Sequence, residues 1–123
     1  MNFSLPYPPT INTYWRSVQG RVLISKKGRD YRAAVTRLVS TEPQVIASGM
    51  MKCRVSITML VFPPDRRRRD IDNLPKAVLD SLEFAGVFEN DSQVDRLLIL
   101  RQSVEAPAGR IELLIEEYKA GDE

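Results

Sequence analysis

Residues 52–86 decide the fold, and they read KCRVSITMLVF-PPDRRRRDIDN-LPKAVLDSLEFAG. Apolar and more polar side chains alternate over Lys52–Phe62, which predicts a half-buried strand. After two prolines and a charged connection, apolar residues recur at helical spacing. This helix is expected to begin near Asp72 or Asn73 and to end at Gly86. Its predicted apolar face consists of Leu74, Ala77, Val78, Leu82 and Ala85.

Shorter elements are predicted on the N-terminal side of this stretch. Phe3–Leu5 and Val22–Ile24 are typical of short strands, and residues 10–20 between them of an ordered loop or a hairpin. Ser25 suits the N-cap of a helix that ends at or before Pro43. The predicted core-facing stripe of this helix consists of Tyr31, Ala34, Val35, Leu38 and Val39.

Two longer strands are predicted on the C-terminal side. They cover about Val94–Val104 and Arg110–Tyr118, and residues 106–109 (APAG) suit a turn that joins them as a hairpin. Mixed strands and helices of this kind are typical of an α+β layer fold. We therefore expect a mixed β-sheet with two main helices packed on it. We expect the sheet and helices to form a single domain over residues 1–119, followed by a flexible C-terminal tail at residues 120–123.

Composition excludes several classes of site. The chain has 123 residues, a net charge of +2, one cysteine and no histidine. Histidine-ligated zinc, a histidine base and an internal disulfide therefore cannot be built within it. Cys53 is interpreted as a core residue on the buried face of its strand, not as a nucleophile. Without a signal peptide or an apolar run of membrane-spanning length, we expect a soluble cytoplasmic protein with no membrane partner.

The charged connection carries two aspartates, Asp70 and Asp72, two residues apart. In an extended chain such residues point to the same side, while Ile71 between them can anchor in the core. Two converging carboxylates repel each other unless a cation lies between them. Mg²⁺ fits this position, because proteins hold it through one or two carboxylates together with phosphate oxygens and water.

Neighbouring residues extend this site. Lys76 lies four residues after Asp72, where an ammonium can steady the charge on an attacked phosphate. Asp91, in the loop after the helix, can add a third carboxylate. A basic run next to the acids consists of Arg66, Arg67, Arg68 and Arg69. Such a run can hold a DNA backbone. Together these groups predict hydrolysis of a phosphodiester, in which a metal ion activates water and offsets negative charge.

Each feature also has an ordinary structural interpretation. Arginine runs are often solvated loops, and Asp91 can be a loop or cap residue. Lys76 can pair with Asp72 or Asp80 on the helix surface. A calcium loop is excluded in detail, because Pro75 stands where such a loop requires glycine. A functional site is favoured because acids, arginines and a lysine crowd one strand-to-helix junction.

The chain resembles the RusA family of Holliday-junction resolvases along nearly its whole length. The central similarity is DRRRRDIDNL at residues 65–74, continued by Lys76, Ala77 and Asp80. The family's proline-rich opening is similar to LPYPPT at residues 5–10 followed by YWR at residues 14–16. Its second acidic segment and closing strand are similar to DSQV at residues 91–94 and GRIEL at residues 109–113. Each of these similarities alone is weak evidence for the family, whereas their combination is specific to it.

This resemblance implies an activity and the residues that perform it. The family acts as a homodimer on four-way junction DNA, with Mg²⁺ or Mn²⁺, and favours cuts beside paired cytosines. Its members are often carried by phages or prophages. By position in the motif, Asp70, Asp72 and Asp91 are expected to be the metal-binding catalytic acids. Lys76 is expected to be the essential lysine, and Arg69 with its neighbours to touch DNA.

A homodimer also has a physical argument. A four-way junction is nearly two-fold symmetric and needs two nicks, whereas one chain offers one acidic cluster. Tyr14 and Trp15, with Arg16 beside them, are candidates for DNA contact, since aromatic rings can stack on unpaired bases near the crossover. Packing in the core or in an interface is an alternative of equal weight for these aromatic residues.

Other functions remain as alternatives. The main one is a non-catalytic junction-DNA-binding protein, which keeps the arginines and makes the aspartates structural. A sugar-nucleotide transferase is disfavoured because the chain has no glycine-rich loop. A small-molecule phosphohydrolase is disfavoured by the arginine run. The main expectation is therefore a structure-specific, Mg²⁺-dependent endodeoxyribonuclease that resolves four-way junctions.

Overall fold

The computed structural model describes residues 1–120, and the predicted tail lies outside the described residues from Gly121 onward. The helices and strands follow one another as β1 (Asn2–Leu5), α1 (Ile11–Tyr14), β2 (Trp15–Val18), β3 (Arg21–Ile24), α2 (Lys26–Thr41), α3 (Pro43–Ser48), β4 (Val55–Phe62), α4 (Pro75–Phe84), β5 (Val94–Arg101) and β6 (Arg110–Glu117). Single 3₁₀ turns cover Ile71–Asn73 and Asp91–Gln93. Within the described range, no helix combines the length and the apolar character needed to span a bilayer.

A four-stranded mixed sheet forms the base of the fold, with the strand order β1-β6-β4-β5. The central strand β4 pairs in parallel with β5 and antiparallel with β6. Burial alternates along the whole of β4, as its period-two pattern predicts. Its buried side chains are Val55, Ile57, Met59 and Val61. The expected mixed sheet is therefore confirmed, with one face turned to the core and the other partly open to solvent.

Helices α2 and α4 pack against each other and share the core with the buried face of the sheet. Ser25 caps α2, because its Oγ accepts a hydrogen bond from the backbone N–H of Gly28 at 3.0 Å. The buried stripe of α2 consists of Gly28, Tyr31, Val35 and Val39. Leu38, which was expected in this stripe, is exposed because it lies off the row formed by Tyr31, Val35 and Val39. The expected α+β fold with two main helices is confirmed.

The predicted C-terminal hairpin is wrong, because β4 lies between β5 and β6 in the sheet. Helix α4 carries the chain from β4 to the parallel strand β5, as a parallel pair requires. The connection after β5 then crosses the end of β4, where Gln102 N donates to Val61 O and Glu105 N donates to Pro63 O. The turn residues at 106–109 are compatible with either arrangement, so they could not decide which strands pair.

Several element boundaries also differ from the prediction, and α4 begins at Pro75 instead of near Asp72 or Asn73. Strand β4 begins at Val55, so Cys53 lies before the strand and is half-buried rather than on its buried face. Strand β5 ends at Arg101, before the predicted end near residue 104. Pro43 follows the end of α2 as expected, but it also opens the unpredicted short helix α3. Proline suits that position because the first turn of a helix needs no N–H from it.

The strands β2 and β3 form a separate two-stranded ribbon over residues 15–24, so the hairpin includes the predicted strand at Val22–Ile24 and does not lie within residues 10–20. At its turn, Gln19 and Gly20 have φ values of 51° and 75°. Positive φ at both central residues is what a type I′ turn requires. The ribbon begins directly after the buried Tyr14. Its second strand ends directly before Ser25, the N-cap of α2.

Candidate active site

Asp70 and Asp72 lie in the connection between β4 and α4, immediately before the N-terminus of α4. Asp70 has an extended backbone, whereas Ile71–Asn73 forms one 3₁₀ turn. The expectation that both aspartates share one side of an extended chain is therefore wrong. Ile71 is only half-buried, and Leu74 anchors the connection in the core instead. The aspartates thus stand at the surface on a segment that is held from below by Leu74.

The side chains of Asp70 and Asp72 differ from the other aspartates in their charge environment. Both residues are exposed, and neither forms an ion pair within residues 1–120. Every other aspartate in that range lies within 4.0 Å of a lysine or arginine nitrogen. Two like charges this close in sequence, neither of them in an ion pair with a described lysine or arginine, favour a cation from solution.

The side chains of Lys76 and Asp91 lie close together, although Lys76 is at the start of α4 and Asp91 follows the end of that helix. The Nζ atom of Lys76 is 3.9 Å from Oδ2 of Asp91. Lys76 lies in the first turn of α4, and Asp91 begins the 3₁₀ turn that precedes β5. Glu83, also on α4, accepts the backbone N–H of Asp91 at 2.7 Å. One helix therefore carries both the lysine and the carboxylate that holds Asp91 in place.

A capping box fixes the turn that carries Asp91. The side chain of Asn90 accepts the backbone N–H of Ser92 at 2.8 Å, and that of Gln93 accepts the N–H of Asn90 at 2.8 Å. The buried amide of Gln93 also donates to two backbone carbonyls just before β4. The sequence analysis missed this box, although the Asn-x-x-Gln spacing signals it. No comparable signal reveals the role of Glu83.

Arg69 is turned inward and holds the shape of the basic loop. Its Nη1 atom lies 2.7 Å from Oδ1 of Asp65, and its guanidinium lies over the ring of Tyr7. Arg101 donates to the backbone carbonyl of Arg69 at 2.6 Å. The hydrogen bond from Arg69, followed by the one from the backbone of Arg67, lowers the pKa of Asp65 to about 2. Arg69 thus stabilises the conformation of the loop through its contacts with Asp65 and Tyr7.

The other three arginines of the run project from this loop. Arg66, Arg67 and Arg68 are all exposed. A cleft of about 260 Å³ connects the loop to the first aspartate of the site. The residues that line this cleft are Tyr7, Thr10, Arg68, Arg69, Asp70, Asn73 and Leu74. Basic and acidic groups therefore meet at one opening, where a phosphate can approach both.

Similar proteins are known for nearly the whole chain. The model of the family described as Endodeoxyribonuclease RusA matches residues 6–116. The chain belongs to the RusA family. A crossover junction endodeoxyribonuclease rusA of Enterobacteria phage HK97 is 41% identical over 118 residues, covering 96% of this chain and 95% of that protein. The crossover junction endodeoxyribonuclease RusA of Escherichia coli K12 is 39% identical over 117 residues, covering 94% and 93%.

A divalent cation fits the acidic residues of this RusA-family chain by donor chemistry. Asp70, Asp72 and Asp91 offer carboxylate oxygens, the donors that hard divalent cations prefer. In the part of the chain that the structure describes, no three acidic or cysteine side chains are arranged as ligands of one ion. The fit therefore rests on the uncompensated pair Asp70 and Asp72, while the carboxylate of Asp91 is beside Lys76.

The N-terminal candidates of the RusA-family chain have three different environments. Tyr14 is fully buried and donates its hydroxyl to Asp80, which also pairs with Arg32 at 2.8 Å. Burial, followed by the hydrogen bond to Asp80, raises the pKa of Tyr14. Trp15 is half-buried, with its ring centroid 5.0 Å from that of Tyr14, and Arg16 is exposed. Tyr14 thus packs in the core, which is the alternative that the sequence left open.

Proposed function

We propose that this chain is a structure-specific endodeoxyribonuclease that resolves four-way DNA junctions by paired, metal-dependent hydrolysis of phosphodiester bonds. Membership of the RusA family supports this, as do relatives named crossover junction endodeoxyribonucleases. The observation that carries the proposal is the uncompensated pair Asp70 and Asp72, set between an arginine loop and the helix that bears Lys76. Relatives in phages HK97 and 82 support a role in the recombination of phage or prophage DNA.

Asp70, Asp72 and Asp91 would hold the divalent cation, which we take to be Mg²⁺ with Mn²⁺ as a substitute. Both ions accept carboxylate oxygens. When bound, such an ion supplies positive charge that offsets the negative charge gathering on the phosphate during hydrolysis. Contacts within the chain orient these acids. Leu74 is buried in the core and anchors the segment that carries Asp70 and Asp72. Glu83 accepts a hydrogen bond from the backbone of Asp91 and so holds it in place.

Lys76 contributes a positive charge of its own. Its exposed ammonium stands 3.9 Å from Asp91 at the start of α4. From there it orients the carboxylate of Asp91 and binds an oxygen of the phosphate under attack, where an ammonium stabilises developing charge. This role requires the charge rather than the packing of the side chain, because about half of the side chain is open to solvent.

DNA is bound by the exposed cations around the acidic site. These contacts are assigned to Arg66, Arg67, Arg68, Lys76 and Arg16, and the half-buried ring of Trp15 is assigned as an aromatic contact next to Arg16. The three loop arginines neutralise backbone phosphates next to the cut, which positions the substrate without reading its sequence. Arg69 acts through the loop, because its guanidinium is engaged by Asp65 and Tyr7. Tyr14 supports Trp15 from the core and makes no DNA contact.

The active form is proposed to be a homodimer. Resolution needs one cut in each of two opposed strands, and one chain supplies one acidic site. A two-fold dimer presents two identical sites in the symmetry of the junction. Paired cuts then follow from the assembly itself, without a second kind of subunit.

Cutting of a synthetic four-way junction tests this function. The wild-type protein is incubated with labelled junction, with and without Mg²⁺, beside Asp70→Asn. We expect symmetric nicks only for the wild type with Mg²⁺. Asp70→Asn should bind the junction at least as tightly, because one negative charge near the DNA is removed. Asp30→Asn is the matched control, since Asp30 forms only an exposed surface pair with Lys26, and it should cut at the wild-type rate.

Two outcomes would contradict the assignment. A wild-type protein that binds the junction but never cuts it with Mg²⁺ or Mn²⁺ would be the non-catalytic binding protein. Wild-type cutting by Asp70→Asn would remove Asp70 from the site. The same comparison with Asp72→Asn and Asp91→Asn tests the remaining two acids.

A further inference from the structure

The β2–β3 ribbon has two different faces. Its register sets Trp15 opposite Ile24, and both side chains pack against the core. Residues that lie opposite each other share a face, and faces alternate along each strand. The next cross-strand pair therefore points away from the core. The outer face of the ribbon, as it is termed below, consists of Arg16, Val18, Arg21 and Leu23.

This outer face is open and mixed in character. Arg16 and Arg21 are exposed, and neither forms an ion pair with any residue of the range 1–120. Val18 and Leu23 keep 37% and 39% of their surface exposed. In each cross-strand pair of this face, an arginine stands opposite an apolar side chain. Such a face suits a partner that presents both negative charge and flat apolar surface.

The N-terminal segment that contains the ribbon has basic residues but no acidic ones. Residues 1–29 contain no aspartate or glutamate, and the first acidic residue is Asp30. The cations of this segment are Arg16, Arg21, Lys26, Lys27 and Arg29. The net charge of +2 thus conceals an excess of positive charge in residues 1–29, of which Arg16 and Arg21 lie on the ribbon. Charge complementarity selects a polyanion as the partner.

The root of the ribbon is tied to the helix of the candidate active site. Tyr14, just before β2, donates its hydroxyl to Asp80 on α4. Ser25, just after β3, donates its backbone N–H to the carbonyl of Tyr14 at 2.8 Å and caps α2. Asp80 lies four residues beyond Lys76 on α4, about 6 Å along the helix axis. The ribbon is therefore anchored about one helical turn from the lysine assigned to the phosphate.

From these observations we propose that the outer face of the ribbon binds the branch point of the junction, beyond the phosphates held at the active site. The proposal rests on the proposed function and names a further part of its DNA contact. Arg16 and Arg21 bind backbone phosphates. Val18 and Leu23 lie against bases whose stacking is interrupted where the strands exchange, as apolar side chains do in distorted DNA. A two-stranded ribbon also has the dimensions of a DNA groove.

Binding measurements without divalent metal separate the two kinds of contact. Fluorescence anisotropy compares a four-way junction with a duplex of one arm's sequence, over a range of salt concentrations. For Arg16→Ala/Arg21→Ala we expect weaker binding of both DNAs and a salt slope smaller by about 1.8, or about 0.9 for each lost phosphate contact. For Val18→Thr/Leu23→Thr we expect roughly tenfold weaker junction binding from lost apolar burial. Its duplex affinity should stay within about twofold.

The ribbon supplies a matched control. Val22 lies on the other face of β3, opposite Ser17, and is 69% exposed. Val22→Thr should bind both DNAs within about twofold of the wild type. Threonine suits strands, so these variants keep the ribbon, and circular dichroism checks their fold. A loss for Val22→Thr as large as that for Val18→Thr/Leu23→Thr would overturn the assignment of the outer face.

Further outcomes distinguish this proposal from the proposed function. If the wild type cuts junctions and both double variants bind them as the wild type does, the ribbon proposal is overturned and the nuclease stands. A wild type that neither binds nor cuts junctions overturns both. Analytical sedimentation of the double variants tests the alternative that the outer face binds a second copy of the chain instead of DNA. A changed oligomeric state with unchanged DNA affinity would assign the face to that copy and overturn DNA binding.

Discussion

Replacing Asp80 with alanine should destabilise the fold while leaving the chemistry of cutting intact. Asp80 accepts a hydrogen bond from the hydroxyl of Tyr14 and another, at 2.8 Å, from the guanidinium of Arg32. Burial lowers the pKa of Arg32, but the hydrogen bond to Asp80 is among the contacts that outweigh it, so the pKa is raised overall. The guanidinium also lies over the ring of Phe84. Asp80 therefore joins α4, α2 and the root of the ribbon.

The size of the effect follows from the contacts that are lost. Both side chains of the Arg32–Asp80 pair are only 21% exposed. Losing two hydrogen bonds to a charged carboxylate, each worth about 1.5 kcal/mol net, lowers the free energy of unfolding by about 3 kcal/mol. The remaining guanidinium is then partly buried without its partner, which adds to the loss. At about 4 °C per kcal/mol, the melting temperature should fall by roughly 12 °C.

Urea and thermal unfolding measure this loss, and a double-mutant cycle assigns it. Tyr14→Phe should cost about 1.5 kcal/mol in the wild type and much less in the Asp80→Ala background, because its acceptor is already gone. Asp30→Ala is the matched control: its pair with Lys26 is largely exposed, and its loss should cost less than about 0.5 kcal/mol. Junction cutting is then assayed at a temperature where Asp80→Ala is folded.

Three results would refute this reasoning. An unchanged unfolding midpoint for Asp80→Ala would mean that the network does not stabilise the fold. Complete loss of cutting by Asp80→Ala in a folded state that still binds junctions would place Asp80 among the catalytic acids. Additive effects of Asp80→Ala and Tyr14→Phe would show that the two groups are not coupled.

Three further predictions concern the loops around the site. A hydrogen-bonded arginine lowers the pKa of Asp65 from 3.8 to about 2, so its stabilising effect is present above about pH 4 and is lost as the pH falls towards 2. Urea midpoints of Asp65→Asn should therefore vary less across that window than those of the wild type, and parallel curves would contradict this. Gly109→Ala should cost more than about 2 kcal/mol in urea unfolding, because φ is +67° and the new Cβ would lie 2.6 Å from a backbone oxygen. Gly20→Ala, with φ of +75° and open space, should cost about 1 kcal/mol, and equal costs would exclude the steric reason. Glu83→Ala should slow junction cutting several-fold with unchanged binding, because Asp91 loses the carboxylate that holds its backbone; a matching loss of binding would point to a DNA contact instead.

Local patterns in the sequence determined the individual elements. The alternation along β4 depends on neighbours two residues apart, and the apolar rows of α2 and α4 on neighbours three and four apart. Ser25, Pro75 and Gly86 mark helix ends through the conformations of single residues. These signals lie within a few residues of their effect, so the α+β class and both main helices could be predicted.

Residue chemistry likewise predicted the candidate site. The lack of histidine, the close pair Asp70 and Asp72, and the four adjacent arginines select a hard cation and a phosphate substrate. These inferences need the kinds of residue and their spacing, not their positions in space. Family membership then agrees with the activity that the residues and the resemblance imply.

The tertiary structure alone decided what lies next to what. β6 pairs with β4 rather than β5, Arg69 turns inward to Asp65, and Tyr14 is buried on Asp80. Asp72 lies in a 3₁₀ turn that Asp70 precedes, and this turn leads into the buried Leu74. The backbone of Asp91 is held by its hydrogen bond to Glu83. Each of these depends on contacts between segments distant in sequence, whose free energy is set by how the whole core packs. Periodicity encodes which face of an element is apolar, but only the assembled core determines which partner that face meets.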